Sequence, residues 1–173
     1  MNFMAHYLGA FLVILILMTL LWIISVARKN ASIADPFWGL GFVTISFYYF
    51  LLSYGFETRK ILVMALAAVW GLRLFAHLFL RNWGKGEDFR YRKFRQTFGE
   101  TRYWWVSFFQ VFLLQGFLMW LISAPLLGAI YYTADNSLNL LDALAIVIWL
   151  IGSIFEAGGD YQLARVHPKA DDW

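Results

Sequence analysis

The chain has 173 residues, of which 61% are hydrophobic and 14% charged, with a formal net charge of +3 and a mean hydropathy of +0.62. No soluble domain of ordinary composition approaches that balance, so the sequence describes an integral membrane protein. The lack of cysteine excludes a disulfide framework, a thiol nucleophile and a thiolate metal site. The histidines, His6, His77 and His167, are too scattered to spell a zinc motif, so no metal site is expected.

The first predicted element is a helix from Tyr7 to Ala27, apolar throughout and long enough at ~1.5 Å per residue to cross a ~30 Å hydrocarbon core. No Lys or Arg precedes it and Arg28-Lys29 follows it, so it reads as an uncleaved span although Ser25-Val26-Ala27 resembles a cleavage site. Asp35-Pro36 opens the second span, from about Pro36 to Tyr54, as an acidic cap followed by a proline at the first helical position. Gly39 and Gly41 lack the third glycine and the preceding strand of a dinucleotide fingerprint, and predict close helix packing instead.

The third helix runs from about Lys60 to Leu80. Arg73, His77 and Arg81 fall four apart along it and share one face. Ionisable groups at membrane depth usually face a bundle interior or a wet cavity, so this stripe marks a site. A loop is expected from Arg81 to Arg102. The fourth helix covers Tyr103 to Tyr131, tilted or broken at Pro125, with Gln110 and Gln115 as its strongly polar interior side chains. A polar turn, Thr133 to Asn139, leads to the fifth helix, from about Leu140 to Gly158. Gly152, Glu156 and Asp160 are again four apart on one face.

Five spans place segments 28–35, 81–102 and 161–173 on one side of the membrane. Those segments hold Arg28, Lys29, Arg81, Lys85, Arg90, Arg92, Lys93, Arg95, Arg102, Arg165 and Lys169, against Arg59 and Lys60 on the other side. The positive-inside rule then puts the N-terminus outside and the C-terminus in the cytoplasm. The expected architecture is all-α: a single multi-pass transmembrane bundle over 1–173 whose two polar clusters open on the cytoplasmic face, in a bacterial inner membrane or the endoplasmic reticulum.

The loop 84–95 interleaves Lys85, Arg90, Arg92, Lys93 and Arg95 with Phe89, Tyr91 and Phe94. Guanidinium forks on phosphate oxygens and aromatic stacking suit a nucleotide cofactor; attraction of a juxtamembrane segment to anionic lipid headgroups is the alternative. Glu87 and Asp88 favour a built site, because carboxylates can orient arginines or bind ribose hydroxyls. Arg73 and His77 are either cofactor or substrate contacts, or members of an ion-pair network with Glu156 or Asp160.

Three ordered motifs then carry a resemblance: Trp70-Gly71-x-Arg73-Leu74-x-x-His77-Leu78-x-x-Arg81, Gly86-Glu87-Asp88-x-Arg90-Tyr91, and Gly152-x-x-x-Glu156-x-x-x-Asp160-Tyr161-Gln162. Over nearly its whole length the chain resembles the DUF1295 membrane proteins, a group similar to the steroid 5-alpha-reductase C-terminal domain family. The resemblance implies a helical-bundle reductase that binds NADPH from the cytoplasmic side and reduces a conjugated C=C bond in a hydrophobic, steroid- or lipid-like substrate. It implies cofactor contacts from Arg81, Asp160 and, in place of an asparagine, Glu156, beside those expected of Arg73, His77, Asp88, Arg90 and Arg95. Steroid reductases carry a catalytic tyrosine directly after the histidine. Here that position is Leu78, so the proton donor must be another group, with Tyr91, Tyr161 and Glu87 as candidates. Family members continue through further helices, so the resemblance also implies that a chain ending at Asp171-Asp172-Trp173 is partial, with about five of the expected spans. The wider group includes isoprenylcysteine carboxyl methyltransferases, which makes methyl transfer from S-adenosylmethionine the competing enzymatic reading. A lipid-interacting protein without enzymatic activity is the third. Membrane lipids and a hydrophobic small molecule are the expected partners, with no nucleic acid.

Overall fold

The computed structural model describes residues 2–131 and 137–166, and the regular elements among them are helices. They are α1 (Phe3–Arg28), a 3-10 turn (Ala31–Ala34), α2 (Phe37–Leu52), α3 (Glu57–Asn82), α4 (Phe89–Phe98), α5 (Glu100–Tyr131) and α6 (Leu140–Val166). The chain divides into two compact units, Met1–Ala134 and Asp135–Trp173. Four helices are long and apolar enough to cross a membrane: α1, α3, α5 and residues Leu140–Leu163 of α6.

The first unit is a bundle of α1, α2, α3 and α5, crossed at one end by α4. Along α1, His6, Ala10, Ile14, Met18, Leu21 and Ser25 are buried, while Leu8, Leu12, Ile16, Leu20 and Ile23 are about half exposed or more. That two-faced pattern on a uniformly apolar helix separates a packing stripe from a lipid-facing one, since apolar exposure of this kind is costly only in water. Ile14, Met18, Ile45, Phe112, Met119 and Leu127 meet in the core with at most 1% exposure.

The closest pair is α2 and α3. A side chain at Gly39 would collide with the backbone of Gly71, and one at Gly71 with the backbone of Gly39, so the two helices touch main chain to main chain. The expected role of Gly39 in close packing is thereby observed. Gly41 makes room in the same way for the Met119 sulfur.

Three sequence expectations need correction. Asp35 does not cap α2; Pro36 holds the N-cap position with no side-chain cap bond, because the Asp35 carboxylate is bonded to Arg90 and Tyr91. Segment 81–102 is not a loop. The α3 helix continues to Asn82, and α4 begins after Asp88, whose carboxylate accepts from the Arg90 amide at 3.0 Å as an N-cap. Gly99, at φ +83°, then separates α4 from α5 in a conformation that L side chains rarely adopt. Finally, α6 runs to Val166, past Gly158-Gly159, where a stop was expected.

The fourth span behaves as a composite. Its break falls at Ser123, two residues before Pro125, where the Ser123 amide bonds to Met119 and Trp120 at 3.0 and 3.1 Å before a last helical segment, Ala124–Tyr131. A π-helical segment, Phe108–Leu113, lies within it, and nothing in residue type announced it.

Aromatic contacts mark both ends of the bundle. Trp22 donates to the Trp104 carbonyl at 2.7 Å at the α4 end, and Trp120 donates to the Tyr7 carbonyl at 2.8 Å at the other. The 16-residue α2 joins the same two levels: Asp35, just before it, bonds to α4, and Tyr49, near its end, is 3.0 Å from the Ser123 hydroxyl.

In the second unit, Asn139 caps α6 through a 2.9 Å bond from the Leu141 amide, and Asp142 returns a 2.9 Å bond to the Asn139 amide. His167 and most of the expected turn at Thr133 to Asn139 lie outside the described residues.

Candidate functional site

A cavity of ≈ 260 Å³ opens at the α4 end of the bundle, lined by Asp35, Trp38, Leu78, Arg81, Arg90 and Gln115. Each lining residue reaches it for a local reason. Asp35 follows the 3-10 turn and Trp38 stands in the first turn of α2. Leu78 and Arg81 are one turn apart at the end of α3, Arg90 is in the first turn of α4, and Gln115 follows the π segment of α5.

Two clamps hold α4 across this end. In the first, Arg90 bridges two carboxylates: its Nη2 is 2.9 Å from Asp35 Oδ2, and its Nε is 3.0 Å from Asp88 Oδ1. Beside it the buried Tyr91 hydroxyl donates to Asp35 Oδ1 at 2.5 Å. In the second, Glu87 accepts from Arg95 Nη2 at 2.8 Å and Nε at 2.9 Å, and from the Ala31 amide at 2.8 Å. Arg95 also donates to the Lys29 carbonyl at 3.2 Å and stacks over the Tyr103 ring at 4.6 Å. Next to Glu87, the Asp88 amide donates to Ser32 Oγ at 2.7 Å. The sequence Glu87-Asp88-x-Arg90-Tyr91 is therefore a docking strip for the 3-10 turn as well as a line of charged groups.

These contacts set the two aspartates apart. Burial pushes the Asp35 carboxyl above its ordinary range, outweighing the opposing hydrogen bond from Tyr91 and the nearby Arg90 charge. Burial would also raise Asp88, but the Arg90 side-chain and backbone hydrogen bonds outweigh it and hold Asp88 below the ordinary range. The Tyr91 hydroxyl is raised, first by burial and then by the Asp35 charge, so it keeps its proton. Arg90 is held protonated by Asp88, and Arg95 by Glu87. Paired carboxyls pushed in opposite directions are a recognised arrangement of acid–base sites. Asp35 is the one that faces the cavity.

Of the residues picked out in the sequence, Arg81 and Arg90 meet at this cavity, with Asp88 and Tyr91 directly behind Arg90 and Asp35. Glu87 and Arg95 are spent on each other and on the 3-10 turn. Arg73 and His77 lie half-buried on α3, two turns and one turn before Arg81. Glu156, Asp160 and Tyr161 belong to α6 in the second unit, where Arg165 stacks over the Tyr161 ring at 4.5 Å. Among the described residues no group of three or more His, Asp and Glu side chains could hold a metal ion.

Asp35, Trp38 and Gln115 escaped the sequence reading as site residues. One signal was available for the first, since Asp35 is the only charged residue between Lys29 and Glu57. Gln115 showed only as a polar residue in an apolar span.

A helical membrane protein with an arginine-flanked cavity at one end of its bundle is the class these features define. The chain belongs to the DUF1295 family, described as protein of unknown function, whose family model matches residues 21–171. It is similar to an uncharacterised protein of Schizosaccharomyces pombe, with 25% identity over 166 residues that cover 90% of this chain and 48% of that protein. The chain thus spans about half the length of the curated relative it matches. No solved structure matches it.

Proposed function

We propose that this chain forms part of a membrane reductase that uses NADPH to reduce an activated C=C bond in a hydrophobic substrate, and that the cavity at the α4 end takes the nicotinamide-phosphate half of the cofactor. The observation that carries this reading is the convergence, on one small cavity, of two guanidinium groups, Arg81 and Arg90, with a carboxyl that is itself bonded to a buried phenol.

The residues fit such a group in chemistry. Arginine forks suit phosphate oxygens, and Trp38 with Leu78 offers apolar wall to a ring. The volume of ≈ 260 Å³ is below the ~300–1,000 Å³ typical of sites that enclose a whole drug-sized ligand, so half a dinucleotide is what it admits. NADPH, when bound, supplies the hydride. The chain's own residues do the rest. Arg81 and Arg90 hold negative charge, and the Asp35–Tyr91 pair holds a proton at the cavity wall for the carbon or oxygen that becomes basic during reduction. Tyr91 suits the donor role better than Glu87, whose two oxygens are both engaged by Arg95. The apolar helices supply a dry surround and a lipid route for the substrate.

The orientation follows the same reading. Most basic residues of the first unit gather at the cavity end, and α2 joins the two ends of the bundle as its longer neighbours do, which supports a fifth span and a cytoplasmic cavity. In a nanodisc assay with a hydrophobic enone, NADPH consumption is expected. Arg81→Ala should raise the KM for NADPH about tenfold with little change in kcat, whereas no consumption with any enone, or unchanged kinetics in the variant, would count against the reading.

A further inference from the structure

The carboxylates around α4 are spent inward: Asp35 and Asp88 are bonded to Arg90, and Glu87 to Arg95. The outer cations of this end keep their charge, and they divide between the two flanks of α4. Lys93 stands one turn from Arg90, on the flank that meets the cavity. Arg92 stands one turn from Arg95, on the opposite flank, and Arg95 fixes what surrounds it. It donates to the Lys29 carbonyl at 3.2 Å and lies over the Tyr103 ring. Those two contacts bring Arg28-Lys29, at the end of α1, and Arg102, at the start of α5, to the same corner as Arg92. All four residues are exposed, and among the described residues none of their side chains forms an ion pair. Against these four cations the corner holds Glu100, in the first turn of α5, since Glu87 is neutralised by Arg95.

The same corner ends a lipid-facing surface. Trp22 donates to the Trp104 carbonyl at 2.7 Å and meets the Phe108 ring edge-on at 5.1 Å, so the last turns of α1 lie against the start of α5. Beside that seam, Ile23 and Val26 of α1 and Trp105 and Phe109 of α5 are 37–57% exposed. Apolar side chains left so open belong in hydrocarbon, and tryptophan among them marks headgroup depth. Arg28 and Lys29 come two and three residues after Val26, and Arg102 one turn before Trp105. Cations thus cap an apolar wall. A soluble anion would use the cations and leave the wall idle, and a zwitterionic headgroup would bring its own ammonium into a positive cluster.

We propose that this corner of α1, α4 and α5 binds an anionic phospholipid, with the phosphodiester among the four cations and an acyl chain along the α1–α5 wall. Guanidinium forks match phosphate oxygens, and each basic residue at headgroup level adds attraction. The site uses no residue of the cavity, so it stands apart from the dinucleotide reading.

The test is native mass spectrometry of the full chain in non-ionic detergent, titrated with phosphatidylglycerol and with phosphatidylcholine of the same acyl chains. The unaltered chain should bind phosphatidylglycerol about tenfold more tightly. Arg92→Gln combined with Arg102→Gln should reduce that preference to about twofold or less, whereas Lys85→Gln combined with Lys93→Gln, cations of the same end outside the corner, should preserve it. Equal binding of the two lipids by the unaltered chain, which requires no variant to fold, overturns the proposal. A preference that survives loss of Arg92 and Arg102, or that falls equally in both double variants, overturns it as well, the latter because it shows diffuse attraction to the basic end. Displacement of the lipid by inorganic phosphate at the same concentration also overturns it, because the apolar wall would then have no part in binding.

Discussion

The Tyr91 hydroxyl donates to the Asp35 carboxylate at 2.5 Å, tying α4 to the turn that precedes α2. Burial holds Asp35 above the ordinary value of 3.8, so its protonated form favours the folded state. The stability this group contributes is fully present below its unfolded value and is lost as pH rises through the higher folded one. Asp35→Asn removes that titration. Thermal midpoints measured from pH 4 to 7 in detergent should therefore fall more steeply for the unaltered chain than for the variant over this range, and parallel curves would show that Asp35 is not the group responsible.

The Glu87–Arg95 pair is the mechanical anchor of α4. Glu87 has an 8% exposed side chain and Arg95 a 22% exposed one, so the pair is mostly removed from water. Glu87→Ala leaves the Arg95 charge and the Ala31 amide without their partner, at a cost of about 2 kcal/mol. Limited proteolysis should cut faster in segment 84–99 of the variant, with the rest of the chain protected as before. An unchanged cleavage rate would mean that the Arg90 clamp suffices by itself.

Main-chain contact between α2 and α3 predicts an asymmetric response to alanine. Gly39→Ala places a methyl against the Gly71 carbonyl, where backbone must move, and should destabilise by about 1–3 kcal/mol. Gly128→Ala adds a methyl that meets nothing within 4 Å and should be neutral or raise stability by about 0.5–1 kcal/mol through helix propensity. Thermal unfolding of both variants checks the contrast, and an equal loss in the two would contradict the packing.

The sequence showed most of the fold because long apolar runs leave little choice of structure in a membrane. The limits of α1, α3 and the start of α6 fell within a few residues of the expected ones, and Gly39 read correctly as a packing residue. What stayed hidden depended on three-dimensional partners. Asp35-Pro36 fits a helix start as written, and only the approach of Arg90 and Tyr91, 55 and 56 residues away, diverts the carboxylate. The α4 helix carried a visible N-cap in Asp88 and a stop in Gly99, but its charge density looked like a solvated loop. Gln115 could not be placed at all, because a π turn has no residue signature and shifts every later position by one.

The central claim is that Arg81 and Arg90 form an anion site for NADPH. Titration of the purified chain in nanodiscs with NADPH, NADH and S-adenosylmethionine, repeated with Arg81→Ala and Arg90→Ala, tests it most directly. The account predicts binding of both dinucleotides, which share the nicotinamide-phosphate half, ahead of S-adenosylmethionine, with NADPH weakened about tenfold in each variant, consistent with loss of one charge-assisted contact. Preferential binding of S-adenosylmethionine, no binding of any of the three, or NADPH affinity unaffected by both substitutions would contradict it.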